Sequence, residues 1–232
     1  MKNIVTSIDI SHSILDDRYK KLCSNLEEVA KVALGSRYVQ EMVPHVEFDS
    51  AVRLSDDFTD GYTTILDADD LNTYFTSGQY GETVRRQCLV SICAYAEVFV
   101  STLFPIMKLN EHDGKNYGQF PNDFNLEIHN SNSFLRKIYY IYKKLKGSLD
   151  FETSNWENIQ CPRMLDEMFT IRHVIVHFGG VIAKSDHEER IGGHFKDANN
   201  NIILSPNSID DFVHRVTINL SGLVKKIDTY LS

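Results

Sequence analysis

Apolar residues recur at spacings of three and four along most of this chain, and the longest such stretches predict helices. From about Ile10 to Met42, the residues Ile14, Leu22, Leu26, Val29 and Ala33 fall near one face, with Gly35 as a candidate break and Pro44 as a stop. A second helix is predicted from about Gly81 to Leu109. It is basic at its start, at Arg85 and Arg86, and apolar almost all round afterwards, which makes it central. Ser131 to Leu149 returns to the helical period through Leu135, Ile138, Tyr142, Leu145 and Leu149. The next helix runs from about Pro162, a residue suited to a first turn, to Phe178, and stops at Gly179-Gly180. In the last one, Ile209, Phe212, Val213, Val216, Leu220, Leu223, Val224, Ile227 and Leu231 form one stripe behind a capping box at Ser208 and Asp211.

The connecting segments differ in kind. Residues 110–130, rich in Asn, Gly, Asp and Pro, read as a loop, and Ser154 to Glu157 as a capping box around Trp156. In residues 190–204, IGGHF and NIIL flank the turn-prone Asn199-Asn200-Asn201, a β-hairpin pattern. Residues 44–80 carry eight acids (Glu47, Asp49, Asp56, Asp57, Asp60, Asp67, Asp69, Asp70) against Arg53 alone. They read as a loop-rich insertion with one short helix, and lack the DxDxDG spacing of a calcium loop. The expected fold is therefore all-α in the main, a bundle of about five to six helices with a small β-hairpin before the C-terminal helix. No internal repeat divides it, so residues 1–232 are expected to form a single domain, with 44–80 as an acidic insertion.

Composition narrows the class. At 232 residues, 42% hydrophobic and 11% aromatic, the chain is neither disordered nor fibrous. Cys23, Cys88, Cys93 and Cys161 are scattered, which points to reduced thiols filling a core in a cytoplasmic protein. The N-terminal residues do not have the form of a signal peptide. Residues 88–107 are the one stretch apolar enough to suggest a membrane span, but Glu97 is at its centre, Pro105 is near its end, and Ser91, Ser101 and Thr102 dilute it. A buried helix is expected there, and no membrane. The net charge of −8 first argues against nucleic acid as a partner. Yet without residues 44–80 the remainder carries only −1, and Ser131 to Leu149 alone carries +5.

The chemistry concentrates in FTIRHVIVHFGG, residues 169–180. On a helix, His173 and His177 lie about 40° apart, and Arg172 and His177 about 140° apart. Arg172 offers a planar fork of donors that suits a phosphate, and His177 can take and give a proton near neutral pH. Together they are a minimal kit for cleaving an RNA phosphodiester without metal. A plainer reading is also open, in which both residues complement the C-terminal dipole of their helix and cap its last carbonyls. A third is zinc chelation by His173 and His177 with His194, although no ligand spacing of a known kind is present.

IRHVIVHFGG resembles the signature of the HEPN superfamily (higher eukaryotes and prokaryotes nucleotide-binding): an Arg, four to six residues, then a His. The residue after the Arg is usually polar in that signature, and here it is His173. AYAEVFVSTL, with Glu97 among apolar residues, is similar to the other helix of that fold. The resemblance spans residues 81–231. It implies a helical bundle that forms a homodimer, so that two Arg–His motifs face one cleft. It also implies a metal-independent endoribonuclease with no cofactor, of a kind often found as a toxin or effector in stress and phage defence, sometimes held by an antitoxin or regulatory partner protein. Arg172 and His177 would then be catalytic, His173 the supporting polar residue, and Glu97 either an orienting partner or a paired buried carboxylate. Some members of the superfamily are non-catalytic binding modules. The basic helix gains a role as an RNA surface through Arg136, Lys137, Lys143 and Lys144, interleaved with Phe134, Tyr139, Tyr140 and Tyr142. The alternative there is a solvated helix face with its tyrosines in the core.

Overall fold

The computed structural model describes residues 15–42, 52–55, 63–66, 73–109, 133–146 and 162–231. The five long helices are α1 (Asp16–Met42), α2 (Gln79–Ile106), α3 (Ser133–Lys146), α4 (Pro162–Phe178) and α6 (Pro206–Leu231), with a short α5 (Ser185–Arg190) between the last two. The mainly all-α expectation holds. Gly35 does not break α1, because a single glycine inside a helix costs only about 1 kcal/mol. The α4 boundaries agree with those read from the sequence, and Gly179 and Gly180 end it at φ values of 62° and 91°, where a Cβ would be strained. The proposed capping box at Ser208 lies inside a helix that has already begun at Pro206.

α2 is the hub, as its nearly continuous apolar sequence requires, and it packs against α1, α3, α4 and α6. Leu89, Ile92, Cys93, Ala96, Val100 and Leu103 on α2 are fully buried. They meet the stripe from α6, in which Phe212, Val216, Leu220, Leu223, Val224 and Ile227 have no exposed surface. Tyr19 on α1 donates its hydroxyl to the Thr217 carbonyl at 3.1 Å, and Phe134 on α3 stacks on Phe169 of α4 at 4.2 Å. α2 is also the one helix among the described residues long and apolar enough to cross a membrane by length and composition.

The hairpin expected at residues 190–204 is not formed. Gly193–Phe195 makes a 3-10 turn, and only isolated bridges join Val181 to Asn201 and Lys196 to Ile202. Two buried interactions override the alternating pattern. Phe195 turns inward and stacks on Phe212 at 5.4 Å, while the Gly192 amide donates to Glu167 Oε1 at 2.7 Å. The expected turn at Asn199–Asn201 does exist, closed by Asp197 Oδ1, which accepts from the amides of Asn199 and Asn201. Within residues 44–80, two short antiparallel strands pair, β1 (Val52–Ser55) with β2 (Thr63–Leu66), which the sequence pattern did not foretell, and residues 73–76 form a short helix of the kind expected there. Most of the acidic insertion, the 110–130 loop and the Ser154 capping box lie outside the described residues.

Candidate functional site

The end of α4 is built on a fixed frame. Glu82 in the first turn of α2 accepts from Arg86 Nε at 3.0 Å and from the Leu204 amide. Arg86 then donates to the Gly179 carbonyl at 3.3 Å and the Ile202 carbonyl at 2.8 Å, and Arg85 donates to the Leu204 carbonyl. A methyl group on Gly180 would meet the Arg86 guanidinium at 2.6 Å and displace it from its hydrogen bonds, while the φ of 91° itself favours glycine there. From the other side, Asp166 on α4 receives two hydrogen bonds from Arg190, including Nε to Oδ2 at 2.8 Å. Glu167 accepts from Arg215 of α6 at 2.7 Å. These pairs clamp the 181–205 segment against α4.

His177 is exposed on the last turn of α4, with its ring centroid 4.6 Å from that of His173. His173 is half-buried. Burial, then the neighbouring His177, His187, Lys184 and Arg172, hold its imidazole below the ordinary histidine range. His187, from α5, meets His173 edge-on at 5.3 Å and is itself pushed down, chiefly by burial. Nothing in the spacing of KSDHEER signalled this third histidine, because it belongs to a different helix beyond a tight turn. His194 packs on Phe195 instead, and among the described residues no three His, Cys, Asp or Glu side chains are placed to hold a metal ion.

Arg172 occupies another face of α4. It is half-buried, and its Nε is buried with no hydrogen-bond partner among the described residues. Its charge lowers the Cys93 thiol, while burial first and then Glu97 raise it, and the net result is a strongly raised, neutral thiol. Arg172 therefore acts on Cys93 across the α2–α4 interface, and Glu97 acts on it from the next turn of α2. Among the described residues they form no ion pair with each other, and no hydrogen bond joins Arg172 to His177. Within one chain His177 touches His173, and the charge of Arg172 is felt both by His173 and by Cys93.

Glu97 also lines an open groove of about 560 Å³ between α2 and α3, together with Val98, Ser101, Thr102, Phe134 and Lys137. Lys137 Nζ donates to Ser101 Oγ at 3.0 Å across it. Elsewhere on α3, Arg136 is half-buried with an unpartnered Nε among the described residues, and Lys144 is exposed. Lys143 belongs to α3, but its side chain lies outside the described residues, as does that of Tyr139. Tyr140 stacks on Phe104 at 6.1 Å, and burial raises the Tyr142 hydroxyl well above the usual range. These two rings belong to the core and are not free to stack on bases. No family model matches this chain, and comparison with curated proteins and with solved structures finds no significant match.

Proposed function

We propose that this chain is a metal-independent endoribonuclease of the HEPN type, cleaving single-stranded or loop RNA as a cytoplasmic homodimer. The observation that carries the reading is the Arg172–His177 motif at the glycine-terminated end of α4, with His177 open to solvent and an Arg172 guanidinium whose Nε is unpartnered among the described residues. His177 would take the proton of the attacking 2′-hydroxyl or return one to the departing 5′-oxygen, and Arg172 would neutralise charge on the pentacovalent phosphorus. The product of that transesterification is a 2′,3′-cyclic phosphate. In this reading a second copy completes the site, so that two Arg172–His177 motifs face one cleft. The outer strip of α2, where Val98 is 63% exposed, would supply a surface for it. RNA would follow the cationic groups of α3. The role in the cell would be that of a toxin or defence effector under an antitoxin or regulatory partner, without a membrane.

The purified protein should cleave RNA in EDTA and leave 2′,3′-cyclic phosphate ends. His177→Ala should abolish cleavage by at least about 100-fold with an unchanged circular dichroism spectrum. Cleavage at the wild-type rate in that variant sinks the assignment. The lack of a hydrogen-bond partner for Arg172 Nε among the described residues also suits one other reading, a non-catalytic module that binds a nucleotide or a protein. That reading requires no turnover on any RNA, with saturable nucleotide binding that Arg172→Ala weakens.

A further inference from the structure

His177 is an exposed side chain on the last turn of its helix, and such a side chain samples several rotamers unless something holds it. What touches it is His173, at 4.6 Å between ring centroids and 47° between planes. His173 is in turn met from α5 by His187, at 5.3 Å and 75°, an edge-to-face contact of the favoured kind. Phe178 closes the stack from the side, 5.7 Å from His173 and 5.6 Å from His187. Lys184 lies over the outer face of Phe178 at 5.3 Å.

The inner end of this series is the fixed one. His187 is 5% exposed, and its Nδ1 has no hydrogen-bond partner among the described residues, so ring packing is what orients it. The helix that carries it is held to α4 by the buried Arg190–Asp166 pair, with Asp186 as a second, weaker partner of Arg190 at 4.0 Å. Among the described residues no ring contact joins His187 to His177 directly. The histidine-to-histidine contacts that link them run through His173.

We propose that His187 is a positioning residue for His177: its buried ring, anchored by α5, holds His173 edge-on, and His173 holds the His177 imidazole in one orientation at the end of α4. The proposal rests on the reading of His177 as the proton-transfer group, but its physical content can be measured without turnover. Two variants of the full chain remove the ring, His187→Leu and His187→Gln, and His187→Phe keeps one.

The first readout is the His177 imidazole resonance, assigned by its loss in His177→Ala. It should move in the Leu and Gln variants although His177 does not touch residue 187, and should stay at its wild-type position in the Phe variant. The second readout is RNA cleavage. There the ringless variants should lose about tenfold in kcat, consistent with slight misplacement of a catalytic group, and the Phe variant should recover it. KM should change by less than about twofold, because transition-state contacts alone are disturbed. If the Leu variant does not fold, the Gln variant carries the same expectations. An unmoved His177 resonance in a folded ringless variant overturns the proposal, as does a Phe variant that moves it equally far. If the wild-type protein cleaves no RNA yet the resonances behave as stated, the positioning role stands and the nuclease reading fails.

Discussion

Arg215 is 6% exposed, and its surroundings show how single residues hold the site. It pairs with Glu167 at 2.7 Å and with Asp211 at 2.7 Å, donates to the Met164 carbonyl, and lies against the rings of Phe195 and Phe212. Glu167, the central partner, also accepts from the Gly192 amide, so one carboxylate ties α4, α6 and the 3-10 turn together. Removing one member of such a buried pair leaves the other charge without compensation. Arg215→Ala should therefore destabilise the protein by about 3 kcal/mol, read as a lower urea midpoint with an unchanged slope. The charges of Arg215, Asp166 and Glu167 were plain in the sequence. The Arg215–Asp211 pair follows the helical repeat, but the pairing of Asp166 with Arg190 and of Glu167 with Arg215 was not plain, because those partners are 24 and 48 positions apart and no periodicity links them.

At the scale of elements, the junction of α4 with α5 carries a pH dependence of predictable sign. His173 and His187 are both held below the histidine value of 6.5, first by burial. The unfolded chain then binds more protons than the folded one as pH falls through about 6.5 towards the lowered folded values, so stability is full above that window and declines within it. The thermal midpoint should fall between pH 7 and pH 5, and the fall should be smaller in His187→Phe, which removes one of the two groups. An equal fall in both proteins would place the effect elsewhere. The same region shows where element prediction failed. IGGHF and NIIL alternate as hairpin arms should, but Phe195 gains more by packing on Phe212 than a two-stranded ribbon could provide. The α4 stop at Gly179-Gly180 was legible, because a left-handed helix end is a local requirement.

For the whole molecule, the outer strip of α2 governs the expected assembly. Tyr95 and Val98 are exposed there, and Val176 on α4 is 48% exposed. If the homodimer forms on this strip, Val98→Glu should shift the protein to a monomer in light scattering and remove cleavage, leaving the monomer fold intact. A dimer that survives the charge places the interface on another face. The net charge of −8 has little bearing on this, since most of it belongs to residues 44–80. Periodicity alone determined that this chain builds long helices, that α2 is central and that α6 buries one stripe, because amphipathic spacing is a local property tied to the helical repeat. It also marked Arg172, His173 and His177 as one cluster. Tertiary packing alone decided that Cys93 lies within reach of Arg172, that His187 enters the cluster from α5, and that Tyr140 and Tyr142 pack against the core. Those outcomes depend on which faces meet across helices, and contact between distant segments has no period to read.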